Sequence, residues 1–134
     1  MKKDENEEKP GRVDVPTGAN VEVRPHPKVG LKFKHVSKKG KASAKPTKTY
    51  PPHPQGKFLS EVFDITTDTV FSETVTVAIS FDGTGLTDDQ KKKLRVYRND
   101  LKPKSVWEDV TSSIDTKKNI AYGSTDHFSI FGVR

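Results

Sequence analysis

Residues 74–81, TVTVAISF, alternate polar and apolar side chains without a break. On an extended chain, Val75, Val77, Ile79 and Phe81 share one face, and Thr74, Thr76, Ala78 and Ser80 share the other. That is the period-two pattern of a half-buried strand. LKFKHV at 31–36 repeats it, with Leu31, Phe33 and His35 on the expected buried face and Lys32, Lys34 and Val36 opposite. VEVR, FLSEVFDI, LRVYR, VWEDV, IAYG and HFSIFGV add short runs rich in β-branched and aromatic residues, separated by turn residues. NDLKPKS and SSIDTKKN read as turns. The spacing predicts an all-β fold, an antiparallel β-sandwich of about seven to nine strands. The expected core holds Phe63, Val75, Val77, Ile79, Leu94, Val96, Trp107, Val110, Ile120, Phe128 and Phe131.

One helical signal interrupts the strands. In LTDDQKKKL, Thr87 and Gln90 have capping-box spacing, and Asp88 and Asp89 suit the positive end of a helix. One short helical turn is expected over residues 87–93.

The 134 residues fit one domain, and only 31% of them are hydrophobic, so part of the chain should lie outside the core. Residues 1–20 read as a flexible linker, charged and without periodicity. The β-sandwich domain is expected over 21–134. Within it, 37–57 carries four prolines, two glycines and six lysines, and reads as a long loop without a strand. The chain has no cysteine, which excludes disulfides and thiolate metal sites. No apolar run approaches the roughly 18 residues of a membrane span. The start, MKKDENEEKPGR, lacks the apolar core of a signal peptide, so an exported parent would have to be longer.

The net charge of +6 is concentrated in one segment. Residues 23–60 hold ten Lys/Arg and no Asp or Glu, whereas each flanking segment has two more acids than bases. Lys38, Lys39, Lys41, Lys45 and Lys48 are candidate contacts for an anionic polymer such as a wall polymer or acidic glycan. Arginine is scarce there, and Tyr50 is the one aromatic between Phe33 and Phe58, which argues against specific nucleic-acid recognition. A solvated loop that blunts an edge strand is the simpler account of the same lysines.

Taken in order, FDITTDTVFSETVTVAISFD, GLTDDQKKKLRVYRND and WEDVTSSIDTKKNIAYGSTDHFSIFGV resemble a module that recurs in large bacterial and archaeal secreted or surface-anchored proteins. The likeness spans residues 58–133. More distantly, the stretch resembles the β-sandwich domain of ankyrins, netrin receptors and zonula occludens proteins. The resemblance implies an extracellular, non-catalytic module serving adhesion, spacing or docking to an unknown protein or anionic surface polymer. A monomer is expected.

Some members of the second group cleave themselves at His-Phe-Ser, as does an unrelated nucleoporin domain. The matching residues here are His127, Phe128 and Ser129. Such cleavage would begin with Ser129 Oγ attacking the Phe128 carbonyl, with His127 as base and a buried Phe128 straining the bond. Their plain reading is a packed last strand, with Phe128, Ile130 and Gly132 on one face and Ser129, Phe131 and Val133 on the other. His26, His35, His53 and His127 show no metal-ligand spacing. Asp82-Gly83-Thr84-Gly85 reads as a turn, because it lacks the ladder of a calcium loop. No metal or other cofactor is expected. No nucleophile elbow, phosphate loop or zinc-protease motif appears, so chemistry on another molecule is not expected.

Overall fold

The computed structural model describes residues 12–54 and 56–134. Among these described residues, eleven strands and one helix follow one another as β1 (Arg12–Val15), β2 (Gly18–His26), β3 (Val29–Lys38), β4 (Gly40–Thr47), β5 (Val62–Thr67), β6 (Val70–Ser80), α1 (Asp88–Lys92), β7 (Val96–Asn99), β8 (Trp107–Asp109), β9 (Thr111–Asp115), β10 (Ile120–Thr125) and β11 (Ile130–Val133). They form two antiparallel sheets, one ordered β1-β4-β5-β11-β7-β8 and the other β2-β3-β6-β10-β9. The expected β-sandwich with one short helix is thus the observed architecture, with more strands than the alternation alone suggested.

The two sheets close on a common core. From the five-stranded sheet come Val29, Leu31, Phe33, Val75, Val77 and Ile79; from the six-stranded sheet come Ala42, Ala44, Phe63, Ile65, Phe131 and Val133. Phe33, Phe63 and Phe131 are fully buried. Each such side chain contributes roughly 1.5–3 kcal/mol relative to exposure. Helix α1 is capped as its sequence predicts. Thr87 Oγ1 accepts from the Gln90 N–H, and the Gln90 side chain accepts from the Thr87 N–H.

Several expectations need correction. Residues 1–11 lie outside the described residues, but the expected linker ends sooner than residue 20. Arg12–Val15 pairs with β4, and β2 starts at Gly18. The stretch 37–57 is a strand in its first part: Gly40–Thr47 pairs with both β1 and β5. Ala42 and Ala44 are its inward residues, and small side chains give little alternating signal. Thr111–Asp115 pairs with β10, although 112–119 reads as a turn. Of the expected core, Trp107 and Ile120 lie on outer faces, and Val110 and Phe128 are half-buried at its margin.

On β3 the expected places of His35, inward, and Val36, outward, are exchanged. His35 is exposed and Val36 is 1% exposed. Phe33 pairs with Val75 and His35 with Ser72, so two steps on β3 match three on β6. Asn20 on β2 and Glu73 on β6 both have positive φ, 53° and 66°, at this level of the sheet. The irregularity breaks the period and turns Val36 into the core.

Candidate functional site

The triplet His127-Phe128-Ser129 leads into β11, a central strand of the six-stranded sheet. Phe128 is half-buried, with its ring 6.0 Å from Phe33 and 5.8 Å from Phe71. Ser129 Oγ donates to the Asn99 carbonyl at 2.6 Å, and the Ser129 carbonyl accepts from the Ile65 N–H at 2.9 Å. The imidazole of His127 is held by two carboxylates. Nδ1 lies 2.6 Å from Asp126 and Nε2 lies 3.0 Å from Asp100. Hydrogen bonds donated to Asp100 and then to Asp126 raise the His127 pKa above its ordinary value, and the latter contact lowers that of Asp126. With both ring nitrogens on carboxylates, neither is directed at Ser129. The serine hydroxyl that the imidazole would have to deprotonate is directed elsewhere.

Asp100 joins a wider network at this end of the sandwich. Arg98, only slightly exposed, reaches Glu108 at 2.6 Å and Thr125 Oγ1 at 2.9 Å. Arg98 Nε has no well-aligned hydrogen bond, but Asp100 lies 3.1 Å away and offsets its charge. Arg98 lies on the six-stranded sheet and Thr125 on the five-stranded one, so the guanidinium ties the two together. The geometry is that of a structural clasp. Among the described residues, no group of three or more His, Cys, Asp or Glu is arranged to hold a metal ion. Asp82 has a turn role, accepting from the Thr84 N–H at 3.0 Å.

The lysines of the basic segment do not share one surface. Lys38 ends β3, Lys39 lies in the hairpin, Lys41 and Lys45 sit on β4, and Lys48 follows it. Lys41 pairs with Asp14, and Lys45 stands opposite Asp64 in the β4–β5 register. The β3 lysines, Lys32 and Lys34, belong to the other sheet. Folding therefore divides the positive run between the two faces of the sandwich.

The described residues of 50–58 cross the outer face of the six-stranded sheet as a strap. Tyr50, His53 and Phe58 meet Tyr97 and Trp107 there. The His53 and Tyr97 rings are 4.4 Å apart, and those of Phe58 and Trp107 are 4.8 Å apart. Trp107 Nε1 donates to the Pro51 carbonyl at 3.1 Å. Beyond the strap, the Leu59 N–H donates to the Val133 carbonyl at 2.7 Å. Burial, and secondarily the charge of Arg134, lowers the His53 pKa. The covered sheet face explains why Val62, Ile130 and Gly132 are buried although they point away from the central core.

The outer face of the five-stranded sheet is different. Gly30 on β3 pairs with Ala78 on β6, and Ala78 pairs with Tyr122 on β10. The two small residues form the floor of a groove of about 340 Å³. Tyr122 lies on one side, and Arg24, Lys28 and Lys32 line the other; Thr76 and Ser80 add hydroxyls. Sequence reading missed this groove, because its residues are spread over four strands. The available signal was the small pair Gly30 and Ala78 at outward positions of two alternating strands.

No protein-family model, curated protein or solved structure matches the chain. No helix among the described residues is long and apolar enough to cross a membrane.

Proposed function

We propose that this chain is a non-catalytic interaction module of a prokaryotic cell-surface or secreted protein, and that it docks through the outer face of its five-stranded sheet. The observation that carries this reading is the asymmetry of the two outer faces. One is covered by the strap of Tyr50, His53 and Phe58. The other keeps a polar groove open between β2 and β10. A mainly open groove on a rigid sheet suits binding, because little order has to be created when a partner arrives. The resemblance of residues 58–133 to modules of secreted and surface-anchored proteins supports the setting.

Envelope fractions provide the test. The labelled domain is incubated with prokaryotic cell envelopes, alongside a Thr76→Gln/Ala78→Gln variant that fills the groove without adding charge and a Tyr50→Ser variant on the strap side. Retention lost in the groove variant and kept in the strap variant is the expected result. Equal retention of both, or no retention of the unaltered domain, overturns the docking face.

A further inference from the structure

We infer that the groove on the five-stranded sheet binds an acidic polysaccharide, one whose sugar units carry carboxylate or sulfate groups. The inference rests on the docking face proposed above and adds the chemical class of its occupant.

Charge complementarity is the first support. The groove is lined by Arg24, Lys28 and Lys32, with Glu22 the acidic residue among them. The cations are held loosely. Lys32 reaches Glu22 at 3.9 Å and Lys28 reaches Glu61 at 3.6 Å, both in exposed pairs. Such pairs are worth about 0–1 kcal/mol, so an incoming anion displaces them at little cost. Arg24 donates to the Pro27 carbonyl at 3.3 Å, which leaves the rest of its planar fork for a carboxylate or sulfate.

Shape is the second. A trough with Gly30 and Ala78 at its floor lets a ring lie close to the backbone. Tyr122, half-buried, stands two strands from Gly30, about 10 Å across the sheet. One flat aromatic wall, a row of hydroxyls from Thr76 and Ser80, and a cationic wall opposite match a sugar ring with an acidic substituent. The aromatic wall presents an apolar body to the ring while its hydroxyl stays in water. The groove is open to solvent, so a sugar seated in it can belong to a longer chain.

The probes are polygalacturonate and heparin, with dextran as a neutral glycan and oligo-dT as a non-glycan polyanion. Binding to the full chain is followed by amide chemical shifts and calorimetry. The expected result is binding of an acidic glycan with shifts centred on Gly30, Ala78 and Tyr122. Affinity should fall about tenfold or more in Arg24→Glu/Lys32→Glu, and in Tyr122→Ala, whose unfolding midpoint is checked in parallel. Lys41→Ser/Lys45→Ser on the opposite sheet should bind as the unaltered chain does. Several outcomes overturn the inference: equal loss in the β4 variant, tighter binding of oligo-dT, or preference for dextran. No glycan binding at all, with envelope retention still dependent on the groove, overturns the glycan assignment and leaves the docking face standing.

Discussion

Gly132 faces the ring of Phe58 so closely that a Cβ at Gly132 would lie 2.7 Å from Phe58 Cδ1. Strap and central strand are therefore fitted to each other, and the missing side chain is what lets the ring come this close to β11. Gly132→Ala should lower stability by about 1–3 kcal/mol, the usual cost of overpacking. Urea unfolding followed by far-ultraviolet circular dichroism would measure it. Paired with Phe58→Ala, the loss should be well short of additive, because the second change removes the obstacle. Additive losses would mean that the ring and Gly132 do not meet.

His53 makes the strap sensitive to acid. Burial lowers its pKa below 6.5, so the neutral ring is favoured in the folded state. Stability from this group is complete above the unfolded value and is lost as pH falls through the folded one. Trp107, the sole tryptophan, lies 6.3 Å from the His53 ring and reports on the strap. Its emission should shift to the red on acidification below the unfolded His value, before global unfolding. His53→Phe should remove that step. An identical step in the variant would place the acid-sensitive group elsewhere.

His127 works in the opposite direction. Its pKa is raised by Asp100 and Asp126, so its contribution is complete below 6.5 and is lost as pH rises through the folded value. The side chain is about half exposed, so solvent screening leaves the effect at under about 1 kcal/mol. A proton-resonance titration should put the His127 midpoint above 6.5 and return it toward 6.5 in Asp100→Asn. A midpoint at or below the ordinary value would remove the basis for the clasp.

The same geometry bears on the Phe128–Ser129 bond. With Ser129 Oγ donating to the Asn99 carbonyl, the intact denatured chain should show one full-length mass after long incubation with hydroxylamine. Ser129→Ala should then cost about 1 kcal/mol of stability for the lost hydrogen bond, and change no mass beyond the substitution itself. A fragment ending at Phe128, absent from the variant, would show self-cleavage instead.

The strongly alternating strands were legible in the sequence because β6 and the first part of β3 bury one face each. Thr87 and Gln90 marked the helix for an equally local reason. The strap was not legible. Tyr50, His53 and Phe58 sit among prolines, and nothing local says that they will meet Trp107, about 50 residues later. Strand β4 was hidden because alanine fills its inward positions, and proline and lysine mask its extended character. Trp107 was expected in the core for its size, but the strap provides it a second apolar site outside. The lysine run looked like one patch because sequence proximity does not reveal that β3 and β4 lie in different sheets.

Val36 and Glu73 test the irregularity that strict alternation could not foresee. Val36 is 1% exposed, so Val36→Ala should cost about 2 kcal/mol for lost burial and the resulting cavity. His35→Thr, at the position alternation assigns to the core, should lie within about 0.5 kcal/mol of the unaltered chain. Glu73 holds φ at 66°, a region that costs a side-chain-bearing residue roughly 1–2 kcal/mol and glycine little. Glu73→Gly relieves that strain but gains backbone freedom in the unfolded chain, so it should be neutral or stabilising by up to about 1 kcal/mol. At a regular strand position the same change should destabilise by about 0.5–1 kcal/mol. Urea midpoints for these three variants would decide it. A costly His35→Thr with a harmless Val36→Ala would restore simple alternation and remove the bulge.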